Sequence, residues 1–142
     1  MEQRLSVVTL GVQDLARARA FYEGLGWRAS GISNDGIVFF QLNGMVFSLF
    51  PKAELAKDAN LPGFGKGLPG VSLAHIVLSP AGVDNLLDRA QALGAMIVKP
   101  GNKTFWGGYS GYFLDLDGYL WEIAWNPHFQ MDGNGDIYLP PA

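Results

Sequence analysis

Cysteine is absent from this chain of 142 residues, and histidine occurs only twice. Without cysteine there can be no disulfide, no thiolate nucleophile and no thiolate metal ligand. Catalysis, if there is any, must therefore use histidine, carboxylates, hydroxyls or phenols. The scarcity of histidine restricts the search for a metal or acid–base site to a few positions.

Charge and long apolar runs are also scarce. The net charge is −3, and the lysines and arginines are spread singly, so no basic stripe is available for a nucleic acid. No apolar run approaches the roughly 20 residues that span a bilayer. The first residues, MEQRL, lack the basic and apolar segments of an export signal. We expect a soluble, cytoplasmic protein that contacts neither nucleic acid nor membrane.

The first half of the chain predicts one strand, one helix and three further strands. Residues 5–12 are strand-like, Asp14 is a suitable helix N-cap, and apolar residues recur at helical spacing until Gly26. Strands are predicted near 27–32, 36–42 and 45–50. Residues 5–51 therefore form a βαβββ module.

The second half repeats this order over residues 72–127. The helix-ending pair Leu25-Gly26 recurs 68 positions later, and the turn Asn43-Gly44 has its counterpart 74 positions later. The difference predicts a longer loop in the second module, at 105–111. Residues 52–71 form a connector and residues 128–142 a C-terminal tail, so 1–142 is one domain made of two repeats.

The repeat and two sequence motifs carry a family resemblance. The motifs are FYEGLGW at 21–27 and GYFLDLDGYLWEIAWNP at 111–127. With the paired βαβββ order, they resemble the vicinal oxygen chelate superfamily of glyoxalases, bleomycin-resistance proteins and extradiol dioxygenases. FWGGYSG at 105–111 together with the WEIAWNP ending resembles one subgroup of that superfamily. The resemblance implies an α+β fold in which two modules form an open, barrel-like mixed sheet around a cavity, and a homodimer.

The resemblance also implies where a metal would bind. Family ligands lie on the first and last strands of each module, and His75 and Glu122 match these positions in module two. The offsets of 68 and 74 residues place Val7 and Ser48 at the corresponding positions of module one. Imidazole and carboxylate suit Zn²⁺, Ni²⁺, Mn²⁺ or Fe²⁺, but two ligands seldom suffice. We therefore expect no resident cofactor, with a divalent metal as the alternative.

His75 and Glu122 allow two further interpretations without a metal. They could face each other as a hydrogen-bonded pair that stabilises the cavity wall. Alternatively, Glu122 could be the catalytic residue, acting as a metal-free general base. His128 could serve as a third ligand, but we favour a surface histidine in the tail. Residues 132–136 resemble a calcium loop superficially and predict a turn instead.

The segment 105–111 is the predicted ligand-contacting loop. It places the rings of Phe105, Trp106 and Tyr109 on a glycine-rich backbone, as expected of a flap that closes over a flat, apolar ligand. The alternative is a rigid loop held by its aromatic side chains. With Val7 and Ser48, these residues form the predicted ligand pocket.

Two functions remain open from the sequence, and whether the protein is an enzyme is not decided. The first is a binding protein that holds a small aromatic or hydrophobic molecule in the cavity, with His75 and Glu122 as polar anchors. The second is a divalent-metal-dependent lyase, isomerase or dioxygenase, similar to lactoylglutathione lyase, with the same two residues as metal ligands. The missing ligand at Val7 favours the first.

Overall fold

The computed structural model describes residues 1, 3–67 and 69–139, and the chain divides into two compact units, Met1–Gly67 and Leu68–Ala142. Each unit combines a mixed β-sheet with a helix, so the predicted α+β class is confirmed. Within the described ranges, no helix has both the length and the apolar character needed to cross a membrane.

The first unit contains a three-stranded sheet and two helices. The strand β1 pairs in parallel with β3, and β2 pairs antiparallel with β3, which gives the order β1-β3-β2. A fourth predicted strand, at 27–32, is reduced to a single bridge between Ala29 and Phe40, because the chain turns at Ser30 and Ser33. The elements are β1 (Val7–Val12), α1 (Leu15–Gly24), β2 (Val38–Gln41), β3 (Val46–Pro51) and α2 (Lys52–Asp58).

An aromatic cluster joins α1 to the first sheet. The rings of Tyr22 and Trp27 stack with their centroids 5.3 Å apart, and Trp27 meets Phe47 of β3 edge-on at 5.1 Å. The ring of Phe40 on β2 completes the cluster. Because alternate residues of a strand point to opposite faces, the neighbours of Phe47 on β3, among them Ser48, point away from this cluster.

The second unit contains the complete four-stranded sheet, in the order β4-β7-β6-β5. The strands β4 and β7 are parallel, and the other pairs are antiparallel. The elements are β4 (Ser72–Ile76), α3 (Pro80–Ala92), β5 (Met96–Lys103), β6 (Tyr109–Leu114), β7 (Leu120–Trp125), β8 (Gln130–Met131) and β9 (Ile137–Tyr138).

The helix α3 covers one face of the second sheet. A Cβ atom on Gly111 would lie 2.5 Å from Cδ1 of Leu87 on α3, so glycine is needed for this close approach. Phe113 and Trp121 stack on the same face, and Ile123 is buried there. We call the opposite side of this sheet the helix-free face. By strand alternation, it carries Ala74, Tyr112 and Glu122, among other residues.

The tail forms a small hairpin of β8 and β9. The carboxylate of Asp132 accepts the backbone N–H groups of Asn134 and Asp136 at 2.8 and 3.0 Å. These bonds lower the pKa of Asp132. The acidic segment is therefore a turn that leads into Ile137, as predicted.

Candidate functional site

The helix-free face presents one acidic side chain at the centre of the sheet. Glu122 lies midway along β7, between its register partners Ala74 on β4 and Tyr112 on β6. Lys99 on β5 is the register partner of Tyr112. We call these four residues, which cross all four strands, the Glu122 row. Glu122 and Tyr112 are half-buried, whereas Ala74 and Lys99 are exposed.

Glu122 and Tyr112 form the polar centre of this row. Tyr112 lies next to Glu122 across the antiparallel pairing of β6 with β7, so the phenol and the carboxylate are neighbours on the helix-free face. Burial raises the pKa of Tyr112 above 10.0, and the neighbouring Glu122 carboxylate raises it further. The phenol therefore remains protonated and available as a donor at neutral pH. Tyr112 is not among the site residues that the sequence predicts.

His75 does not join this row. It is the register partner of Ile123, which is buried on the side of α3, whereas Glu122 pairs with Ala74. Residues paired in parallel strands point to the same face, so His75 and Glu122 point to opposite faces. Burial lowers the pKa of His75 below 6.5 even though the residue as a whole keeps substantial exposure. The structure does not bring the two predicted ligands together, and the interpretation in which they face each other is wrong.

A difference in helix length explains why the sequence offset was misleading. The N-caps Asp14 and Ser79 lie 65 positions apart, whereas the helix ends lie 68 apart, because α3 has 13 residues and α1 has 10. The first strands precede the caps, so the offset of 65 applies to them. The counterpart of His75 is therefore Leu10, which is buried and pairs with Leu49, and not Val7.

The equivalence of Ser48 and Glu122 agrees with the strand register. Both lie on the central strand of their sheet, on the face away from the first helix of their unit. Thr9, the partner of Ser48, corresponds to Ala74. The Oγ1 atom of Thr9 and the Oγ atom of Ser48 lie 2.6 Å apart, so the two hydroxyls satisfy each other. Val7 lies on the same face and is exposed.

The predicted flap is a short hairpin held by hydrogen bonds. The backbone N–H of Thr104 donates to the carbonyl oxygen of Gly108 at 3.0 Å. The backbone N–H of Gly108 donates to the side-chain hydroxyl of Thr104, also at 3.0 Å. The ring of Trp106 lies against Gly108, which has no room for a Cβ atom, whereas Phe105 is fully exposed. The interpretation of a rigid loop therefore fits residues 104–108, and Phe105 is its exposed aromatic tip.

Tyr109 and His128 lie apart from the Glu122 row. Tyr109 faces α3, where its hydroxyl donates to the carboxylate of Asp84 at 2.9 Å. This hydrogen bond, with smaller effects of burial and charge, raises the pKa of Tyr109. His128 is exposed in the tail beside Gly107, and its backbone N–H bonds to the side chain of Asn126. Neither side chain is placed to complete a site around Glu122 on the helix-free face.

Comparisons with known proteins agree with this fold. The family model of the Glyoxalase/Bleomycin resistance protein/Dioxygenase superfamily matches residues 4–123. A glyoxalase-related enzyme from Fulvimarina pelagi is 33% identical, with a TM-score of 0.91, and the match covers 99% of this chain and 100% of that one. No curated protein matches the chain.

Two further solved structures indicate the range of activities found on this fold. The fosfomycin resistance protein FosX from Listeria monocytogenes is 27% identical with a TM-score of 0.67, over 89% of this chain and 95% of its own. A lactoylglutathione lyase from Agrobacterium tumefaciens is 23% identical with a TM-score of 0.66, over 89% of this chain and 96% of its own, and shows the fold alone. The chain belongs to the glyoxalase, bleomycin-resistance protein and dioxygenase superfamily.

Members of this family often use divalent metals. A metal site would need several histidine or acidic side chains of this chain to converge. Within residues 1, 3–67 and 69–139, no three histidine or acidic side chains converge as a metal site would require. Glu122 has the methyl group of Ala74 on one side and a phenol on the other, and His75 points to the opposite face. The residues present do not fit a resident divalent metal.

Proposed function

We propose that this protein binds a small aromatic or hydrophobic molecule over the Glu122 row, without a metal. The observation that carries the proposal is the register pair of Glu122 and Tyr112, which sets a carboxylate beside a phenol on a face from which α3 is absent. A few convergent polar groups set among apolar side chains are typical of small-molecule sites.

Apolar residues border this polar pair along the strands. Leu120 and Leu114 lie two positions from Glu122 and Tyr112 on the same face, and both are only partly buried. Ile76, also partly buried, lies two positions beyond Ala74 on β4. A planar aromatic ring could rest on these side chains while its polar substituent reaches the carboxylate. The hydrophobic contact would supply most of the affinity and the polar pair the orientation.

The test is the binding of a neutral aromatic probe, naphthylmethanol. Its fluorescence anisotropy reports binding and is measured with and without a chelator. We expect binding that the chelator does not alter. Ala74→Leu should weaken it at least about tenfold, because the larger side chain fills the space beside Glu122. Val71→Leu, which enlarges an exposed residue just before β4, is the matched control and should bind normally. Binding that disappears with the chelator would contradict the proposal.

Catalysis and metal binding have less support. The lyase, isomerase or dioxygenase alternative needs His75 and Glu122 on one metal, and their opposite orientation does not favour it. A general-base role for Glu122 stays a prediction that would require a substrate with an acidic C–H or O–H bond beside the carboxylate. Such a role is compatible with the same binding site.

We also propose a homodimer in the cytoplasm. Exposed apolar residues near the edge strands β1 and β4 support self-association: Leu5, Val7 and Val71 are 70%, 51% and 61% exposed. Light scattering after size-exclusion chromatography tests this directly. A mass equal to one chain across a range of concentrations would contradict the dimer.

A further inference from the structure

The environment of Glu122 indicates which ligands this face can accept. A carboxylate offers about four acceptor positions, and the neighbours of Glu122 in the strand register are Tyr112 on β6 and Ala74 on β4. No cationic side chain of residues 1, 3–67 and 69–139 forms an ion pair with Glu122. A half-buried carboxylate therefore keeps acceptor positions and an uncompensated negative charge.

The unfilled side of this carboxylate lies toward β4. Its neighbour there is Ala74, which can donate no side-chain hydrogen bond and whose small side chain leaves space above the strand. Ala74 is exposed, so a molecule can reach this position. On the other side, the phenol of Tyr112 occupies the position next to Glu122.

The cation of the row lies too far away to neutralise Glu122. Lys99 is on β5, two strands from β7, which corresponds to about 10 Å between the backbones. Its side chain is exposed, and Tyr112 lies between it and Glu122. The charge at the centre of the row is thus negative, and the positive charge lies toward the edge of the sheet.

We propose that the ligand of this site carries a protonated nitrogen attached to an aromatic or hydrophobic body. The nitrogen lies over Ala74 and donates to Glu122, while Tyr112 holds the carboxylate in place from the other side. A charge-assisted hydrogen bond of this kind is about twice as strong as a neutral one, so it selects amines over alcohols of the same shape. This inference rests on the proposed function and defines its ligand class.

The test compares three probes that share one ring system: naphthylmethylamine, naphthylmethanol and naphthylacetate, titrated by calorimetry at neutral pH. We expect the amine to bind at least about tenfold more tightly than the alcohol, and the acetate most weakly. Glu122→Gln should reduce the ratio of amine to alcohol affinity to about one. Tyr112→Phe should retain the preference for the amine, because the carboxylate keeps its charge.

Glu54→Gln is the matched control, since it removes one exposed carboxylate on α2 and changes the net charge equally. It should leave the preference for the amine unchanged. Equal binding of amine and alcohol by the natural chain would overturn the ligand class and leave the proposed binding function in place. The ligand class would also be overturned if naphthylacetate bound most tightly of the three probes and Lys99→Met abolished this binding. If none of the probes binds, both the inference and the proposed function fail.

Discussion

Ala74 lies beside Glu122 in the parallel pairing of β4 with β7, and this places the next residue, His75, on the other face of the sheet. A shift of one residue along a strand reverses the direction of a side chain. The histidine and the glutamate that together suggest a metal site in the sequence are therefore separated by the sheet itself.

Moving the imidazole by one position should create metal affinity. In Ala74→His, the new side chain would share the helix-free face with Glu122, one strand spacing away. We expect Ni²⁺ and Zn²⁺ to bind this variant at least about tenfold more tightly than the natural chain, because imidazole and carboxylate would then form a two-ligand site. Equilibrium dialysis measures this change.

The natural histidine provides the control for that experiment. His75→Ala should leave metal affinity on the helix-free face unchanged, and Ala74→His with Glu122→Gln should lose most of the gain. Equal metal affinity of Ala74→His and the natural chain would show that position 74 does not face Glu122.

The depressed pKa of His75 predicts a pH dependence of stability. Burial lowers the pKa of His75 in the folded chain below the 6.5 of an unfolded chain. At pH values between the folded pKa and 6.5, the folded state therefore binds fewer protons than the unfolded state. The stabilising contribution is present above pH 6.5 and is lost as the pH falls through the folded pKa. Urea unfolding at a series of pH values measures it.

Replacement of His75 by a neutral residue should remove this dependence. We expect His75→Gln to lose less stability on acidification than the natural chain does. His128→Gln is the control, since His128 is exposed in the tail, and its pH profile should match that of the natural chain. Identical profiles for all three proteins would refute a lowered pKa of His75 in the folded chain.

The sequence predicted the repeat because each element carries its own local signal. Asp14 and Ser79 cap their helices through side-chain bonds to Arg17 and Gly82, as such residues do. The signals at the strands were weaker, and the strand predicted at 27–32 is reduced to a single bridge because the chain turns at Ser30 and Ser33. Local patterns thus predicted which elements exist better than where they end.

The site was harder to predict because it depends on register. The 68-residue offset was measured between the C-terminal ends of the two helices. It includes the three additional residues of α3, and nothing in the composition of α3 reveals them. The distance between the N-caps Asp14 and Ser79 is the signal that could have corrected it. Tyr112 was missed because its relation to Glu122 comes from the antiparallel pairing of β6 with β7.

The close contact between β6 and α3 predicts a large effect of a small substitution. In Gly111→Ala, the added methyl group would lie 2.5 Å from Leu87 and 2.8 Å from the carbonyl oxygen of Lys99. The Leu87 side chain can move, but the bordering backbone atoms belong to β5, so this strand must shift, and we expect a loss of about 2 kcal/mol in the free energy of unfolding.

Urea denaturation checks this value against a variant in the same unit. Gly133 has open space around the corresponding position and no backbone conformation that favours glycine. Gly133→Ala should therefore change the stability by less than about 0.5 kcal/mol. Similar stabilities of the two variants would mean that α3 does not pack closely on Gly111.

The most direct test of a metal-free site is the metal content of the protein itself. The protein should be purified without an affinity metal or a chelator and examined by elemental analysis, followed by thermal unfolding with added Zn²⁺, Ni²⁺, Mn²⁺ and, anaerobically, Fe²⁺. We predict far less than one metal ion per chain and no stabilisation by any of the four ions. Nearly one ion per chain, lost in both His75→Ala and Glu122→Ala, would contradict the account and establish the metal-dependent alternative.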